Sequence, residues 1–259
     1  MADNDFDISL VFPTYNEAQN IPELLRRVEE SFAGTGIRVE MIVVDDNSPD
    51  GTARVAESLK PSYKNLKVIV RKNERGLATA VVRGWEQAAG TCLAVIDADL
   101  QHPPDIIYRL YKAAMEQGAD MAIASRKVEG GGTSNWEFHR VVISDVANII
   151  AKTLLPYTLF RVRDTTTGCF LFKKDRVDIS RLAPRGFKIF LEVLARGKFR
   201  KPVEVGYVFN QRSLGTSKMS VRQDFEFIYH LLKLGTVTGE VALPLAGMAV
   251  LGLLLFRLF

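Results

Sequence analysis

The chain has 259 residues, 47% hydrophobic and 25% charged, a composition that excludes a disordered chain and suffices for one large domain or a domain with an appendage. Its net charge of +4 and pI near 9.0 allow anionic substrates or an anionic membrane surface. Nucleic acid is not an expected partner, because zinc-finger spacing, an aromatic RNP-like segment and a long basic block are all missing.

Met1 to Asp7 is polar and acidic, unlike a secretory signal. Ile8 to Phe12 reads as a first buried strand. The loop Pro13-Thr14-Tyr15-Asn16-Glu17 follows, then a helix in which Leu24, Leu25 and Val28 recur at helical spacing, with Pro22 tolerated in the first turn. Met41 to Val44 is a second strand, ending in Asp45-Asp46-Asn47-Ser48-Pro49-Asp50-Gly51. Lys67 to Val70 is a third, and Gly76-Leu77-Ala78-Thr79-Ala80 opens the next helix. Strand alternating with helix predicts an α/β domain with a mostly parallel sheet and right-handed crossovers. A dinucleotide-binding fold fails at the first turn, which has no glycine before Gly34 where a Gly-x-Gly-x-x-Gly cradle would be needed.

The fourth strand, Leu93 to Ile96, runs into Asp97-Ala98-Asp99-Leu100-Gln101-His102-Pro103-Pro104. Side chains two apart in an extended segment share a side. Asp97 and Asp99 are therefore expected to converge just beyond a strand's carboxyl end, where open α/β sheets hold ligands. Gln101 adds a third oxygen. Such hard donors suit Mg²⁺ or Mn²⁺ retained by a phosphate-bearing substrate better than a closed all-protein cage. An isolated Asp-x-Asp is also compatible with a plain turn before a helix N-cap, a role open to Asp105. Cys92, in this strand, and Cys169, in a later apolar segment, are the only cysteines; they fit a reducing compartment better than a disulfide scaffold.

Asp120 to Ala124 is the next expected strand, ending in Ser125-Arg126. Gly130-Gly131-Gly132 separates it from a helix over Trp136 to Leu155, on which Arg140 and Ser144 share a face. Phe187 to Leu194 reads as a core helix, Val203 to Phe209 as a strand, and Gln211 to Lys218 as a basic loop with Gly215 as its hinge. Val221, Phe225, Ile228 and Leu232 form a helical stripe widened by Phe227, Leu231 and Leu234, which suits an interfacial helix or one packed on the core. Val241 to Phe256 is uncharged and apolar. Counted from about Leu234, with Glu240 at the interface, it approaches the roughly 20 residues of a transmembrane span. The expectation is a membrane anchor ending at Arg257, with basic residues before it, among them Lys198, Arg200 and Lys201, setting the preceding domain on the cytoplasmic face. The expected divisions are a catalytic domain over 1–210, a mobile basic loop with amphipathic interface helices over 211–235, and an anchor over 236–259.

The motifs PTYNE, VVDDNSPDG, GLATA and above all DADLQHPP resemble the inverting GT-A glycosyltransferases of family 2, and within them the dolichol-phosphate (polyprenyl-phosphate) mannose synthases. The resemblance runs from about Ile8 to Lys218. It implies a Rossmann-like GT-A fold in which Pro13, Tyr15 and Glu17 line a nucleotide pocket, Asp46 reads the base and Arg75 lies beside it. A carboxylate there would suit the donors of guanine, and uracil N3–H as well. The resemblance further implies that Asp97, Asp99 and Gln101 hold the metal and that Arg126, Arg140 and Ser144 hold a lipid phosphate. Arg163 to Phe170 resembles the family's acceptor loop, with Thr165 in place of its proline and Thr167 in place of its serine. Gln211 to Lys218 resembles a mobile loop whose Arg212 and Lys218 reach the phosphates.

An alcohol acceptor needs a general base, since its proton must leave as it attacks, and no His, Glu or Asp near the acidic motif stands out as one. A polyprenyl monophosphate is already anionic, with a second pKa of about 6. The implied reaction is GDP-mannose plus polyprenyl (dolichyl) phosphate giving GDP plus polyprenyl-phosphate mannose at a lipid bilayer. A UDP-sugar-dependent transferase of glucose or N-acetylglucosamine, and a membrane-tethered nucleotide-binding subunit without catalysis, are the alternatives.

Overall fold

The computed structural model describes residues 6–134, 138–211 and 221–240, with side chains from Val141 and from Phe225 onward in the helices that open the last two stretches. Four strands come first: β1 (Ile8–Thr14), β2 (Val39–Asp45), β3 (Leu66–Val70) and β4 (Cys92–Val95). They alternate with helices α1 (Ile21–Phe32), α2 (Thr52–Leu59) and α3 (Leu77–Glu86). Next come α4 (Ile106–Glu116), β5 (Met121–Ser125), β6 (Gly132–Thr133), α5 (Phe138–Leu154) and α6 (Pro156–Leu159). The remaining elements are β7 (Phe170–Lys173), α7 (Ile189–Arg196), β8 (Pro202–Gly206), β9 (Val208–Phe209) and α8 (Val221–Thr238).

Seven strands form one sheet in the order β3-β2-β1-β4-β7-β5-β8, and β6 pairs with β9 in a separate ribbon. Every pair in the large sheet is parallel except those made by β7, which runs antiparallel between β4 and β5. Successive side chains of a strand point to opposite faces, so each strand feeds two cores. Leu10, Phe12, Met41 and Val43 pack with α1 and α4 on one side; Val11, Ile42 and Val44 pack with α3, α7 and α8 on the other. β1 and β4 are buried along their whole length, which accounts for their continuous apolar runs.

The sequence left Phe170 to Lys173 inside a loop-and-apolar segment, and the structure makes it a strand. Phe170 and Phe172 supply the packing: Phe172 meets Trp85 edge-on at 5.0 Å between centroids, and Phe170 lies 4.9 Å from Phe190. Antiparallel direction puts the start of β7 at the carboxyl ends of its neighbours, with Phe170 opposite both Val95 and Ile123. The loop entering β7 therefore arrives beside the two strand ends that carry Asp97 and Arg126.

Two strand expectations shift. The first strand continues through Pro13 to Thr14, because the β1–β4 ladder ends at Val11 opposite Val95 and a residue without an N–H costs no bond beyond that point. The expected strand over Val203 to Phe209 breaks at Tyr207, whose ring is fully buried and stacks on His102 at 5.2 Å. Gly206 allows the break: a Cβ there would lie 2.1 Å from Glu129 O.

Among the described residues no helix is long and apolar enough to cross a membrane. The expected anchor over 236–259 falls mostly on 241–259, outside the described residues. Glu240, expected at a membrane interface, accepts hydrogen bonds from the Tyr157 N–H at 2.8 Å and the Thr158 N–H at 3.1 Å, tying the end of α8 to the start of α6.

Helix α3 lies close on the sheet because residue 84 has no side chain: a Cβ on Gly84 would sit 2.7 Å from both γ-carbons of Val11. Gly84→Ala is expected to destabilise the fold by about 1–3 kcal/mol, the usual cost of overpacking. A denaturation midpoint shift at unchanged slope measures it.

Candidate active site

The carboxyl ends of β1, β2 and β4 converge, and their loops are stitched to one another. Asn16 N donates to Ser48 Oγ at 2.9 Å, Glu17 N to Thr52 Oγ1 at 2.9 Å and Ala18 N to Asp50 Oδ2 at 3.0 Å. Asn16 and Asn47 sit at φ of 58° and 53°, a left-handed conformation that asparagine tolerates better than most residues. Of the residues expected to line a nucleotide pocket, Pro13 is buried at the end of β1, and Tyr15 and Glu17 are half-buried in the loop that follows. Arg75 lies over the Tyr15 ring, its guanidinium carbon 3.7 Å from the centroid. The structure thus brings Tyr15 and Arg75 together.

Asp46, expected to read the base, is tightly held. Its Oδ1 accepts from Arg71 Nε at 2.7 Å and its Oδ2 from the Gly76 N–H at 2.7 Å. Arg71 donates onward to Thr79 Oγ1 and Gly76 O, each at 2.9 Å. This buried pair fixes the segment 71–76 that carries Arg75. The sequence reading missed Arg71; its only signal is a basic residue directly after β3.

Asp97 and Asp99 were expected on an extended run. They lie instead on a turn beyond the end of β4, with Leu100 at φ 60°, a conformation that costs a branched residue of order 1–3 kcal/mol. The turn lets Asp99 Oδ1 accept from the Gln101 N–H at 3.1 Å. Gln101 is held in both directions: its Nε2 donates to Asn210 O at 3.0 Å, and its own O accepts from Asn210 N at 2.8 Å. The amide nitrogen is thereby occupied and the amide oxygen is left as the acceptor. On the other side, Gly168 presses against Asp97; a Cβ there would be 2.5 Å from Asp97 Oδ2.

His102 closes the floor of the turn. It is buried, stacks on Tyr207 and meets Phe209 edge-on at 4.9 Å, and Nδ1 lies 3.8 Å from Asp97 Oδ2. Neither ring nitrogen has a hydrogen-bond partner among the described residues. Burial pushes its pKa down to about 4 against the pull of Asp99, so the ring is neutral at pH 7.

Among the described residues no three His, Cys, Asp or Glu side chains converge as a metal cage. Two carboxylates and an amide oxygen at a strand end remain a donor set suited to a hard cation that takes its other ligands from water and phosphate.

Next to this turn stands the expected acceptor pocket. Arg126, at the end of β5, forms a bidentate pair with Asp164, Nε to Oδ2 at 2.7 Å and Nη2 to Oδ1 at 2.8 Å, and Nη2 also donates to Thr166 Oγ1 at 2.6 Å. Ser144, on α5, lies 3.4 Å from the same Thr166 hydroxyl. The structure therefore brings Arg126 and Ser144 together through Thr166. Arg140 lies one turn before Ser144 on α5, and its side chain, like Arg212 and Lys218, is outside the described residues.

Three further residues hold this loop. Glu204, on β8, accepts from the Arg163 N–H at 2.8 Å and the Asp164 N–H at 3.1 Å. Asn148, on α5, accepts from the Thr165 N–H at 2.9 Å and from its hydroxyl at 2.6 Å. The Lys188 ammonium donates to Thr166 O at 2.7 Å. Sequence reasoning missed all three. Glu204 is the one acidic residue in β8, and Asn148 is one of several polar positions on α5.

The acidic turn and the arginine pocket beside it stand at the carboxyl edge of a Rossmann-like sheet, and the chain belongs to glycosyl transferase family 2, whose model matches residues 9–178. Within that class its relatives include the dolichol-phosphate mannosyltransferase of Pyrococcus furiosus, 41% identical over 90% of this chain and 65% of the relative. The dolichol-phosphate mannosyltransferase of Saccharomyces cerevisiae is 34% identical over 88% of this chain and 86% of the relative. The polyprenol monophosphomannose synthase of Mycolicibacterium smegmatis is 36% identical, covering 82% and 80%. The chain thus spans about two thirds of the length of the Pyrococcus protein. Among solved structures, glucosyl-3-phosphoglycerate synthase from Mycobacterium tuberculosis, in complex with Mn²⁺ and UDP, superposes with a TM-score of 0.64 at 15% identity, covering 92% of this chain and 82% of that one. Mannosyl-3-phosphoglycerate synthase from Rubrobacter xylanophilus gives 0.65 at 16%, covering 92% and 77%. These two establish the fold.

Asp164 carries a pH prediction. Burial would raise its pKa, but the hydrogen bonds and charge of Arg126 hold it at about 2, below the ordinary 3.8. A carboxylate whose folded pKa is depressed stabilises the protein above its unfolded pKa and loses that contribution as pH falls through the folded one. Asp164→Asn is expected to cost about 3–5 kcal/mol above pH 4, the cost of orphaning a buried guanidinium. The gap to the parent protein should narrow between pH 4 and pH 2. Chemical denaturation across that range measures it; a gap constant from pH 7 to pH 2 would show that the ion pair is not what holds the loop.

Proposed function

We propose that the protein transfers mannose from GDP-mannose to the phosphate of a polyprenyl (dolichyl) monophosphate, with inversion at the anomeric carbon, on the cytoplasmic face of a membrane. The observation that carries this reading is the 34–41% identity to enzymes named for polyprenyl-phosphate mannose synthesis, over a stretch that includes the acidic turn and the cationic pocket beside it.

Tyr15, Arg75 and the loops after β1 and β2 receive the nucleotide, with Asp46 and Arg71 fixing the segment that presents Arg75. Asp97, Asp99 and Gln101 are the residues that would hold Mg²⁺ or Mn²⁺. Such a cation, when bound, supplies charge neutralisation for the departing diphosphate. Arg126, Arg140 and Ser144 orient the acceptor phosphate, with Arg212 and Lys218 approaching from the following loop. Two anions must be held together for in-line attack, and guanidinium and ammonium groups offset their repulsion. No residue has to remove a proton. His102, the one imidazole at the turn, has its pKa at about 4, too weak a base for an alcohol acceptor at neutral pH.

The membrane assignment is supported by exposed apolar side chains on or beside α5, α6 and α8. Tyr157 and Phe160 are 80% and 69% exposed, Ile149 63%, and Phe225 and Tyr229 52% each. Arg161 lies over Phe160 and Arg185 over Tyr229, each at 4.9 Å. Exposed aromatics beside arginines are a pattern suited to lipid headgroups. The apolar run Val241 to Phe256 follows Glu240 directly, and we assign it, ending at Arg257, as the anchor.

Membranes bearing the protein, given labelled GDP-mannose and a polyprenyl monophosphate, are expected to yield a labelled, acid-labile lipid. UDP-sugars and unphosphorylated polyprenol should yield none. Lipid labelled from UDP-glucose instead would replace this reading with the UDP-dependent one.

Asp99→Asn is expected to lower transfer by about 10²-fold or more, the scale seen when a principal electrostatic stabiliser is removed, with the unfolding midpoint little changed. Initial rates at saturating donor test this, and activity retained in excess EDTA would count against the metal role.

A further inference from the structure

We propose that Lys188 is a phosphate-contacting residue of the acceptor site, placed between the pocket of Arg126 and Ser144 and the acidic turn. This deepens the reading of the preceding subsection and rests on it.

Lys188 precedes α7 and reaches back under the loop that enters β7. Its ammonium has three N–H donors, and its one hydrogen bond among the described residues goes to Thr166 O at 2.7 Å. Thr166 is the residue whose hydroxyl receives Arg126 Nη2 at 2.6 Å and lies 3.4 Å from Ser144 Oγ. Three groups capable of donating to a phosphate therefore meet around one threonine. Lys188 also lies within electrostatic reach of Arg126, Asp164 and Asp97.

The counter-ion arrangement sets this lysine apart. Asp164 is the natural partner for a buried cation here, and both its oxygens are already taken by Arg126. Among the described residues no carboxylate lies within ion-pair distance of the Lys188 ammonium. Its surroundings disfavour its charge: burial, then the neighbouring Arg126, bring its pKa down to about 8. A partly buried cation beside another cation, with no anion of its own, is a poor structural element. An incoming phosphate dianion would supply the missing charge, and two unspent N–H donors could meet its oxygens. In that position the lysine offsets repulsion between the acceptor phosphate and the donor diphosphate, and its compact, mobile ammonium can follow the phosphate as the new bond forms.

The Phe187 ring, 4.9 Å from the ammonium, restricts the side chain on its other flank. Nothing in the sequence distinguishes Lys188, which falls within the stretch Phe187 to Leu194 expected as a core helix.

The test compares the full chain with Lys188→Met and Lys188→Arg. Binding of a short-chain polyprenyl monophosphate and of GDP is measured separately, without turnover, followed by transfer kinetics. Lys188→Met is expected to weaken polyprenyl-phosphate binding and raise the acceptor KM by roughly 10- to 100-fold, the scale of a charge-assisted hydrogen bond. GDP affinity should stay within about twofold, and Lys188→Arg should recover most of the loss. Acceptor binding within about twofold of the parent in Lys188→Met overturns the proposal. So does a parallel loss of acceptor and GDP affinity with a lowered unfolding midpoint, which would mark a purely structural lysine. A parent chain that binds polyprenyl phosphate but transfers no mannose sinks the proposed reaction and leaves the binding comparison to decide the role of Lys188.

Discussion

The site depends on the bidentate pair between Arg126 and Asp164. Arg126 ends one strand, Asp164 begins the loop into another, and the two strands run in opposite directions side by side. A guanidinium fork matched to a carboxylate fixes distance and plane together. The pair therefore sets where Thr166, Thr167 and Gly168 pass, and Gly168 in turn limits where the Asp97 carboxylate can lie. Desolvating both charges is costly, and that cost is offset by the further bonds that saturate Asp164, from the backbone N–H groups of Arg126 and Thr166, both within 3.2 Å. Glu204 and Asn148 then hold the outer flank of the same loop. The acidic turn and the cationic pocket are two sides of one braced segment.

A second buried pair repeats this logic at the other end of the site. Arg71 and Asp46 brace the segment that carries Arg75 over Tyr15, as Arg126 and Asp164 brace the segment beside Asp97. In both cases an aspartate, one of them expected from the sequence to read a base, spends its oxygens on an arginine and a backbone N–H. The electrostatic consequence is similar in both. Charges committed to each other contribute little net potential, and Arg75 and Lys188 stand beside them as cations with no carboxylate partner among the described residues.

Much of this was legible in the chain. The alternation of strand and helix, the apolar run before Asp97 and the motifs shared with the family were enough to place the sheet and the acidic segment at its carboxyl edge, and to single out Tyr15 and Arg75, which meet each other, and Arg126 and Ser144, which meet at Thr166. What escaped had physical reasons. The strand from Phe170 to Lys173 is short and follows a polar loop, so its pairing is set by aromatic contacts with Trp85 and Phe190 from distant parts of the chain. Asp97 and Asp99 are separated by the spacing of an extended segment, yet the chain turns there, with Leu100 in the left-handed region. Glu204, Asn148 and Arg71 act through backbone N–H groups or buried partners, a role that residue type does not announce. Tyr207 interrupts an apparently continuous strand because its ring fits against His102, a contact between positions 105 apart in sequence.

Gln101 and Asn210 exchange a hydrogen bond each way, and this clasp has an evolutionary corollary. The root of the segment after Asn210 is pinned to the acidic turn through backbone atoms of residue 210, so that position can change type, proline apart, without unfastening the clasp, whereas loss of the amide at residue 101 releases one of its two bonds.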